Sequence, residues 1–198
     1  RRVLFRSMAR GRKATVIKTM TYRDISLLKQ LSNTGLCSIE QAKTHCNLNR
    51  DRLVKLEKSG YIKIEKTNPV GGKLIEVARM NIKGRKFCQN NIGTQYFYKS
   101  SINQISHDMK LTEAYYEVMK EHPNAIWKNE TQIAYENKDI ITNGDCVDAL
   151  VETTTGTFAL EVIGSKYTQK TINNKIANGN RLGGKTKIGR ASCRERVY

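Results

Sequence analysis

The chain has 198 residues, with 35 Lys and Arg against 18 Asp and Glu, for a formal net charge of +17. No apolar run approaches the ~20 residues that a membrane-spanning helix needs, so the sequence predicts no spanning helix, and we expect no membrane partner. Residues 1–7 and 188–198 resemble translated sequencing-adapter DNA, and we expect both segments to be artefacts outside the fold. Residues 8–187 keep 29 Lys and Arg against 17 Asp and Glu, a charge of +12, and suffice for one large or two small domains.

The positive charge is concentrated in one half of the chain. Residues 8–99 carry nineteen Lys and Arg against six Asp and Glu, a net charge of +13, whereas residues 100–187 carry ten against eleven, a net charge of −1. A concentration of positive charge in one half suits a polyphosphate ligand, because neutralising phosphates releases condensed counterions. The alternative is a basic, solvated surface without a ligand. The asymmetry favours nucleic-acid binding by the first half.

Apolar spacing predicts three helices in the basic half. The first spans Tyr22–Leu31, with apolar residues three apart. The second spans Ile39–Cys46 and begins after Ser38, which forms a capping box with Gln41 three residues later. The third spans Arg50–Ser59, with basic side chains around an apolar face. A short basic arm precedes the first helix, without a clear period.

A β-hairpin is predicted to follow the third helix. Side chains alternate along Tyr61–Glu65, Asn68–Gly72 has turn chemistry, and Leu74–Ala78 is the returning strand. The stretches Leu53–Ile62 and Met80–Lys86 resemble the entry to and the exit from the wing of a winged helix-turn-helix protein.

This resemblance covers about residues 20–92 and implies that the third helix enters a DNA major groove, with the wing on an adjacent backbone or minor groove. The side chains that it implies at the DNA are Asn49, Arg50, Arg52 and Lys55 on the helix, and Lys63, Lys66 and Lys73 on or beside the wing. The alternative is that the same fold serves as a protein-interaction module, which would leave the phosphate attraction unused.

The second half begins with an amphipathic helix, predicted over Ser106–Glu121. Asp108 lies in its first turn, where a carboxylate favours the helix dipole. We interpret His107 as a cap or core-edge imidazole rather than a catalytic group. Ala125–Lys128 and Gln132–Glu136 are predicted to be strands.

Two further strands, joined by the short turn Thr153–Gly156, bring the acidic residues Asp148 and Glu161 together. Glu161 lies in an apolar run, and a buried carboxylate is costly unless a partner pairs with it. Two carboxylates meeting across a hairpin can hold a divalent cation through oxygen ligands. The pair is therefore a candidate site for Mg²⁺ or Mn²⁺; no other cofactor is indicated.

The sequence Asp-Ala-Leu followed by Phe-Ala-Leu-Glu resembles the core of PD-(D/E)xK nuclease-like domains. The resemblance implies Asp148 and Glu161 as metal ligands and catalytic residues, and Glu117 or Glu113 as the acid on the preceding helix. Ile163 stands where the family has its lysine, and Lys166 or Lys175 would have to supply that group from further along the chain.

The predicted fold is α+β, with a winged-helix DNA-binding domain over 8–95 and a small α/β PD-(D/E)xK-like domain over 96–187 that the adapter junction would truncate. The whole arrangement resembles the replication-relaxation proteins of plasmids and integrative elements. The cysteines that remain, Cys37, Cys46, Cys88 and Cys146, form no C-x-x-C pair, which is typical of free thiols in a reducing, cytoplasmic setting.

The leading hypothesis is a double-stranded DNA-binding protein of a bacterial mobile element, acting in replication, transfer or transcriptional control and without enzymatic activity. A host or element-encoded protein is a further expected partner. The first alternative is a Mg²⁺-dependent DNA endonuclease, and the second is an anti-CRISPR-type inhibitor of a host defence nuclease.

Overall fold

The computed structural model describes residues 15–68, 74–141, 146–163 and 167–183, and the backbone of 185–190. Within these residues the fold is mixed α+β, with seven α-helices and two sheets, so the predicted α+β class is confirmed. None of the described helices is both long and apolar enough to cross a bilayer. Residues 1–7 and the hairpin tip, including Lys73, lie outside the described part.

The basic half contains the predicted helices and hairpin. Its elements are α1 Tyr22–Thr34, β1 Leu36–Ser38, α2 Ile39–Cys46, α3 Arg50–Lys58, β2 Ile62–Thr67, β3 Ile75–Met80 and α4 Ile82–Asn91. The three strands form an antiparallel sheet in the order β1-β3-β2. The short strand β1 was not predicted, since three residues are too few to show a period. The hairpin strands β2 and β3 thus form this sheet together with β1, and α3 packs beside β2 and contacts β3 through Arg50.

Side-chain caps define where the helices begin. The capping box predicted for α2 is confirmed: Gln41 N donates to Ser38 Oγ at 3.0 Å, and Ser38 N donates to Gln41 Oε1 at 3.1 Å. A second capping box starts α1, where Thr21 and Asp24 exchange hydrogen bonds. At α3, Arg52 N donates to Asn49 Oδ1 at 2.9 Å. Each cap satisfies amide groups that the first turn of a helix leaves unpaired.

The second half contains one long helix, a four-stranded sheet and two shorter helices. Its elements are α5 Ile105–Glu121, β4 Ile126–Asn129, α6 Glu130–Glu136, β5 Ala149–Thr153, β6 Gly156–Ile163, α7 Gln169–Arg181 and β7 Lys185–Arg190, with a 3₁₀ turn Ile102–Gln104 before α5. The strand order is β4-β5-β6-β7, antiparallel except for the parallel pair β6 and β7.

The prediction of a strand over Gln132–Glu136 is wrong, because these residues form most of α6. Asn129 ends β4 and caps the helix, accepting a hydrogen bond from Gln132 N at 3.0 Å. Only Ile133 of the helix is fully buried. The cap at Asn129, which lies outside the predicted segment, therefore begins a helix where the sequence suggested a strand.

Helix α5 joins the two halves through a buried interface. Ile105 packs with Leu36 and Val77 of the first sheet. Thr112 Oγ1 donates to the carbonyl of Leu36 at 2.7 Å and accepts from Gln30 Nε2 at 3.1 Å. On its other side α5 contributes Leu111 and Tyr115 to the core of the second half, beside Trp127 and Phe158. One helix therefore closes both cores.

Strand β7 crosses the predicted end of the second domain at Lys187. Its backbone pairs from Phe158 opposite Lys185 to Ile163 opposite Arg190. A chain ending at Lys187 loses half of this strand relative to a chain ending at Arg190. We expect the shorter chain to be less stable by about 2 kcal/mol, the net worth of a few backbone hydrogen bonds, or roughly 4–8 °C in Tm.

The two truncated chains can be compared by thermal melting monitored by circular dichroism. Equal melting temperatures would mean that the last three residues of β7 contribute nothing to stability, as the adapter interpretation expects.

Candidate nucleic-acid interface and buried charge cluster

A surface groove of about 1100 Å³ is lined by α1, α2 and α3. We call it the α3 groove. The cationic side chains that line it are Arg23, Lys43, Arg50, Arg52, Lys55 and Lys58, and Asp51 is the acidic residue among the groove's lining. The structure therefore brings together four of the predicted DNA-contacting residues, Asn49, Arg50, Arg52 and Lys55. Arg23 and Lys43 lie outside the third-helix motif, and sequence reasoning missed them.

The geometry of α3 explains which of its side chains face the groove. Leu53 and Leu56 are fully buried and hold the helix against the core. Arg50, Val54 and Lys58 lie four residues apart, on one face of a helix, and all three line the groove. This face of α3 therefore presents two cations, Arg50 and Lys58, to the groove.

Arg50 is held by a carboxylate of β3. Its Nε and Nη2 donate to the two carboxylate oxygens of Glu76 at 2.8 and 2.9 Å. The hydrogen bond from Arg50 lowers the pKa of Glu76 below its ordinary value. The Arg50 side chain is 58% exposed, so this pair lies in solvent at the rim of the groove. A phosphate ligand at Arg50 would compete with Glu76 for the same guanidinium.

Arg52 and Asn49 line the groove but have structural partners. Arg52 Nε donates to Asp24 Oδ1 at 2.9 Å, and its Nη2 contacts the other carboxylate oxygen of Asp24 and donates to the carbonyl of Thr19 at 3.0 Å. Burial would raise the pKa of Asp24, but hydrogen bonds from Arg52 and Thr21 lower it below its ordinary value. The guanidinium of Arg52 thus anchors α1 to α3, and the side-chain oxygen of Asn49 caps α3.

The hairpin lysines are separate from the groove. Lys63 and Lys66 are exposed on β2, and Lys63 Nζ lies 2.8 Å from Glu65 Oε1. Neither lines the α3 groove, and Lys73 is outside the described residues. The hairpin lysines that the structure describes therefore lie apart from the cations of the α3 groove.

Asp148 and Glu161 lie together, as the sequence predicted. Asp148 directly precedes β5, and its backbone N–H donates to Glu161 Oε2 at 3.2 Å. In return, Val162 N on β6 donates to Asp148 Oδ2 at 2.7 Å. Asp148 is 4% exposed and Glu161 is 2% exposed, so both carboxylates are buried and need compensating charge.

Lys175 from α7 provides part of that charge. Its Nζ lies 2.8 Å from Glu161 Oε1 and donates to the carbonyl of Cys146 at 2.7 Å. Burial and the nearby Asp148 raise the pKa of Glu161 to about 7, against the opposing effect of Lys175. Burial would lower the pKa of Lys175, but Glu161 and Asp148 raise it. Of the two lysines that the sequence offered, Lys166 lies outside the described residues and Lys175 reaches the pair.

His107 provides the remaining positive charge. Its Nε2 lies 3.1 Å from Asp148 Oδ2, and its Nδ1 lies 3.2 Å from Asp108 Oδ1. Burial opposes protonation of the imidazole, but hydrogen bonds with Asp108 and Asp148 outweigh it and raise the pKa of His107 to about 10. Asp108 is fully buried and also accepts from Tyr98 OH at 3.1 Å and from Ser100 Oγ. His107 is thus a core-edge imidazole. We call Asp108, His107, Asp148, Glu161 and Lys175 the charge cluster.

The helix acids that the resemblance implied lie elsewhere on α5. Glu117 is exposed, and ten residues place it about 15 Å along the helix axis from His107. Glu113 Oε1 lies 3.0 Å from His45 Nε2, and Glu113 Oε2 accepts from Gln41 Nε2 at 3.2 Å. The residue of α5 that reaches Asp148 is His107.

The charge cluster does not fit a divalent cation in this arrangement. Glu161 is paired with Lys175, and Asp148 is paired with His107. No group of three or more His, Cys, Asp and Glu residues in the described ranges is arranged to hold a metal ion. The predicted metal pair Asp148 and Glu161 is therefore neutralised by side chains, and an ion would have to displace them.

The cluster should make stability depend on pH. The pKa of His107 is raised from 6.5 to about 10, so its contribution is complete below pH 6.5 and is lost as the pH rises towards 10. Glu161, with its pKa raised to about 7, contributes to the same trend below pH 7. Between pH 7 and pH 10 we expect a loss on the order of 2–4 kcal/mol that His107→Gln removes.

Urea unfolding of the wild type and of His107→Gln at several pH values measures this slope. The interpretation fails if the two proteins lose stability in parallel over that range.

No protein-family model, curated protein or solved structure matches this chain. The functional interpretation of the α3 groove and of the charge cluster therefore depends on their own geometry and charge.

Proposed function

We propose that the chain binds double-stranded DNA through the α3 groove. The observation that carries this proposal is the composition of that groove: six cationic side chains line it against one acidic residue. Neutralising several phosphates at once releases counterions, and this is the main source of affinity in non-specific DNA binding. Tyr22 at the same groove is 84% exposed, so an aromatic ring is also available to a ligand.

The order of elements supports a winged helix-turn-helix arrangement. Helices α2 and α3 follow each other after a three-residue connection, and the hairpin β2–β3 follows α3. In this arrangement α3 is the recognition helix, and Lys63 and Lys66 lie on the wing. The resemblance of the sequence to replication-relaxation proteins supports a role on the DNA of a mobile element, in replication, transfer or transcriptional control.

Fluorescence anisotropy with a labelled duplex tests the proposal directly. We expect log K to fall linearly with log salt, with a slope of about −0.9 for each phosphate contacted. A protein that does not bind duplex at low salt would contradict the proposal, and affinity without salt dependence would exclude the cationic groove as its source.

Glu76→Gln should strengthen duplex binding. The change removes the carboxylate that holds Arg50 and frees its guanidinium for a phosphate. We expect an increase in affinity of about two- to fivefold, since the exposed ion pair that is lost is weak. The matched control is Glu121→Gln, which removes the same charge from the exposed end of α5. Equal effects of the two variants would mean that net charge, and not release of Arg50, determines the affinity.

A metal-dependent endonuclease is the second candidate function. The observation that favours it is the position of Lys175, whose Nζ lies 2.8 Å from Glu161 and supplies the cation that Ile163 does not. Against it stand the ion pairs that occupy both carboxylates, so the second half is better interpreted as a scaffolding or interaction module. Incubation of supercoiled plasmid with the protein and Mg²⁺ or Mn²⁺ distinguishes a nuclease from a protein that only binds DNA. Nicking that Glu161→Ala abolishes would establish the nuclease.

A further inference from the structure

A second, smaller pocket lies at the junction of the two halves, and two arginines line it. Its volume is about 120 Å³, and its walls include Arg79 of β3, Arg85 of α4, and Phe97, Tyr98 and Ser100 from the segment that leads to α5. We call it the two-arginine pocket. It shares no lining residue with the α3 groove, and it is far larger than the roughly 10–15 Å³ that one water molecule needs.

Arg79 is fixed by neighbours that leave part of its guanidinium unused. Its Nη1 donates to Ser100 Oγ at 2.6 Å, and its Nε lies 3.3 Å from Glu65 Oε2. A guanidinium carries five N–H donors in one plane, so these two contacts leave the donors on Nη2 for a ligand. Glu65 also pairs with Lys63 at 2.8 Å. Its single negative charge is therefore divided between two cations and does not fully neutralise Arg79.

Arg85 approaches the pocket from the exposed face of α4. Its guanidinium carbon lies 5.2 Å from the centroid of the Phe97 ring, and Phe97 also lines the pocket. Stacking on an aromatic ring orients the guanidinium without using its N–H donors. Among the described residues no ion pair is formed by Arg85. Its charge is therefore available to an anion.

The backbone brings the hydroxyl of Ser100 into the same space. Gly35, with φ of +82°, permits this close approach, because a Cβ there would lie 2.5 Å from Ser100 Cβ. Ser100 Oγ is hydrogen-bonded to Asp108, whose negative charge is offset by His107. Around the pocket, Lys63, Arg79 and Arg85 thus accompany one half-buried acid, Glu65, and the local charge remains positive.

We propose that the two-arginine pocket binds a phosphate ion or a phosphoryl group. Two guanidinium groups held by separate elements match the several acceptor oxygens of a phosphate, and charge-assisted hydrogen bonds of this type are the strong ones. The phosphoryl group can come from free phosphate or from the 5′ end of a nucleic acid. Through Arg79, Ser100 and Asp108, a bound phosphate would be connected to His107 of the charge cluster.

Isothermal titration of the full chain with inorganic phosphate tests the proposal, and a second arm compares a short oligonucleotide with and without its 5′-phosphate. Arg85→Ala should weaken binding of whichever phosphate probe binds by about tenfold or more. It should lower the melting temperature by only a few degrees, because the contact that it loses with Phe97 is exposed and weak. Arg79→Lys keeps the charge, loses the planar fork and should give a smaller loss. The matched control Lys86→Ala removes an exposed charge from the same helix and should change binding less than twofold.

If inorganic phosphate binds the wild type and Arg85→Ala abolishes that binding, the result supports the site and identifies a free anion as its ligand. If the wild type prefers the 5′-phosphorylated oligonucleotide and Arg85→Ala abolishes that preference, the result supports the site and identifies the 5′ end of a nucleic acid as its ligand. The proposal is overturned if neither probe binds, or if Lys86→Ala weakens binding as much as Arg85→Ala. Duplex binding through the α3 groove is measured independently, because replacing Arg50, Lys55 and Lys58 should leave phosphate affinity unchanged.

Discussion

Replacing Arg50, Lys55 and Lys58 together by Gln should weaken duplex binding by at least about tenfold at moderate salt and flatten the salt dependence. Each phosphate contact contributes about 0.9 to the slope of log K against log salt, so three lost contacts should reduce its magnitude by up to about 2.7. The variant spares Arg52, because its pairing with the buried Asp24 anchors α1. Anisotropy titrations at several salt concentrations measure both quantities.

A charge-matched variant separates the groove from net charge. Lys120, Lys138 and Lys170 are exposed in the second half, and their replacement by Gln removes the same three charges. This control should retain most of the affinity and most of the slope. If both triple variants lose the same affinity, DNA attraction is a property of the whole surface and the α3 groove is not the interface.

Lys175→Met should destabilise the fold by about 3–5 kcal/mol, because it leaves Glu161 as a buried carboxylate without its cation. For a chain of this size the loss corresponds to roughly 6–20 °C in Tm. The exposed fraction of Glu161 is 2%, so water cannot replace the ammonium. Urea unfolding and thermal melting report the change.

Two further variants define the origin of that loss. Lys170 lies on the same helix and is exposed, so Lys170→Met should change the free energy of unfolding by less than about 0.5 kcal/mol. The double variant Lys175→Met with Glu161→Leu removes both charges and should recover much of the lost stability, since a buried ion pair is often no better than an apolar pair. A double variant as unstable as Lys175→Met alone would show that packing around α7, and not the ion pair, causes the effect.

Local signals predicted the first half well. Caps and apolar spacing place α2 and α3 within one residue of their observed ends, and the hairpin follows where alternation begins. Asp148 and Glu161 were expected to meet because the turn between their strands is short, and they do. Each of these features depends on residues close together in sequence.

The features that the sequence did not predict depend on long-range placement. Helix α7 is rich in Asn and has few apolar residues, so the sequence offered Lys166 and Lys175 as alternatives and could not decide which of them reaches Glu161. Likewise, the partners of Arg50 and Arg52 are set by the positions of β3 and α1 relative to α3. A basic side chain on a helix can be identified from sequence, whereas the carboxylate that engages it cannot.

Because α5 closes both hydrophobic cores, neither half of this chain can be exchanged without the packing surface that it shares with α5. Excising the first half would expose Leu36 and Val77, which Ile105 covers, and would leave Gln30 without Thr112. A recombination event that exchanged one half for a homologous sequence would have to bring a matching surface of α5 with it. Substitutions on the exposed face of α3 would alter the proposed DNA-binding surface without disturbing this packing, whereas exchange of a whole half would disturb it.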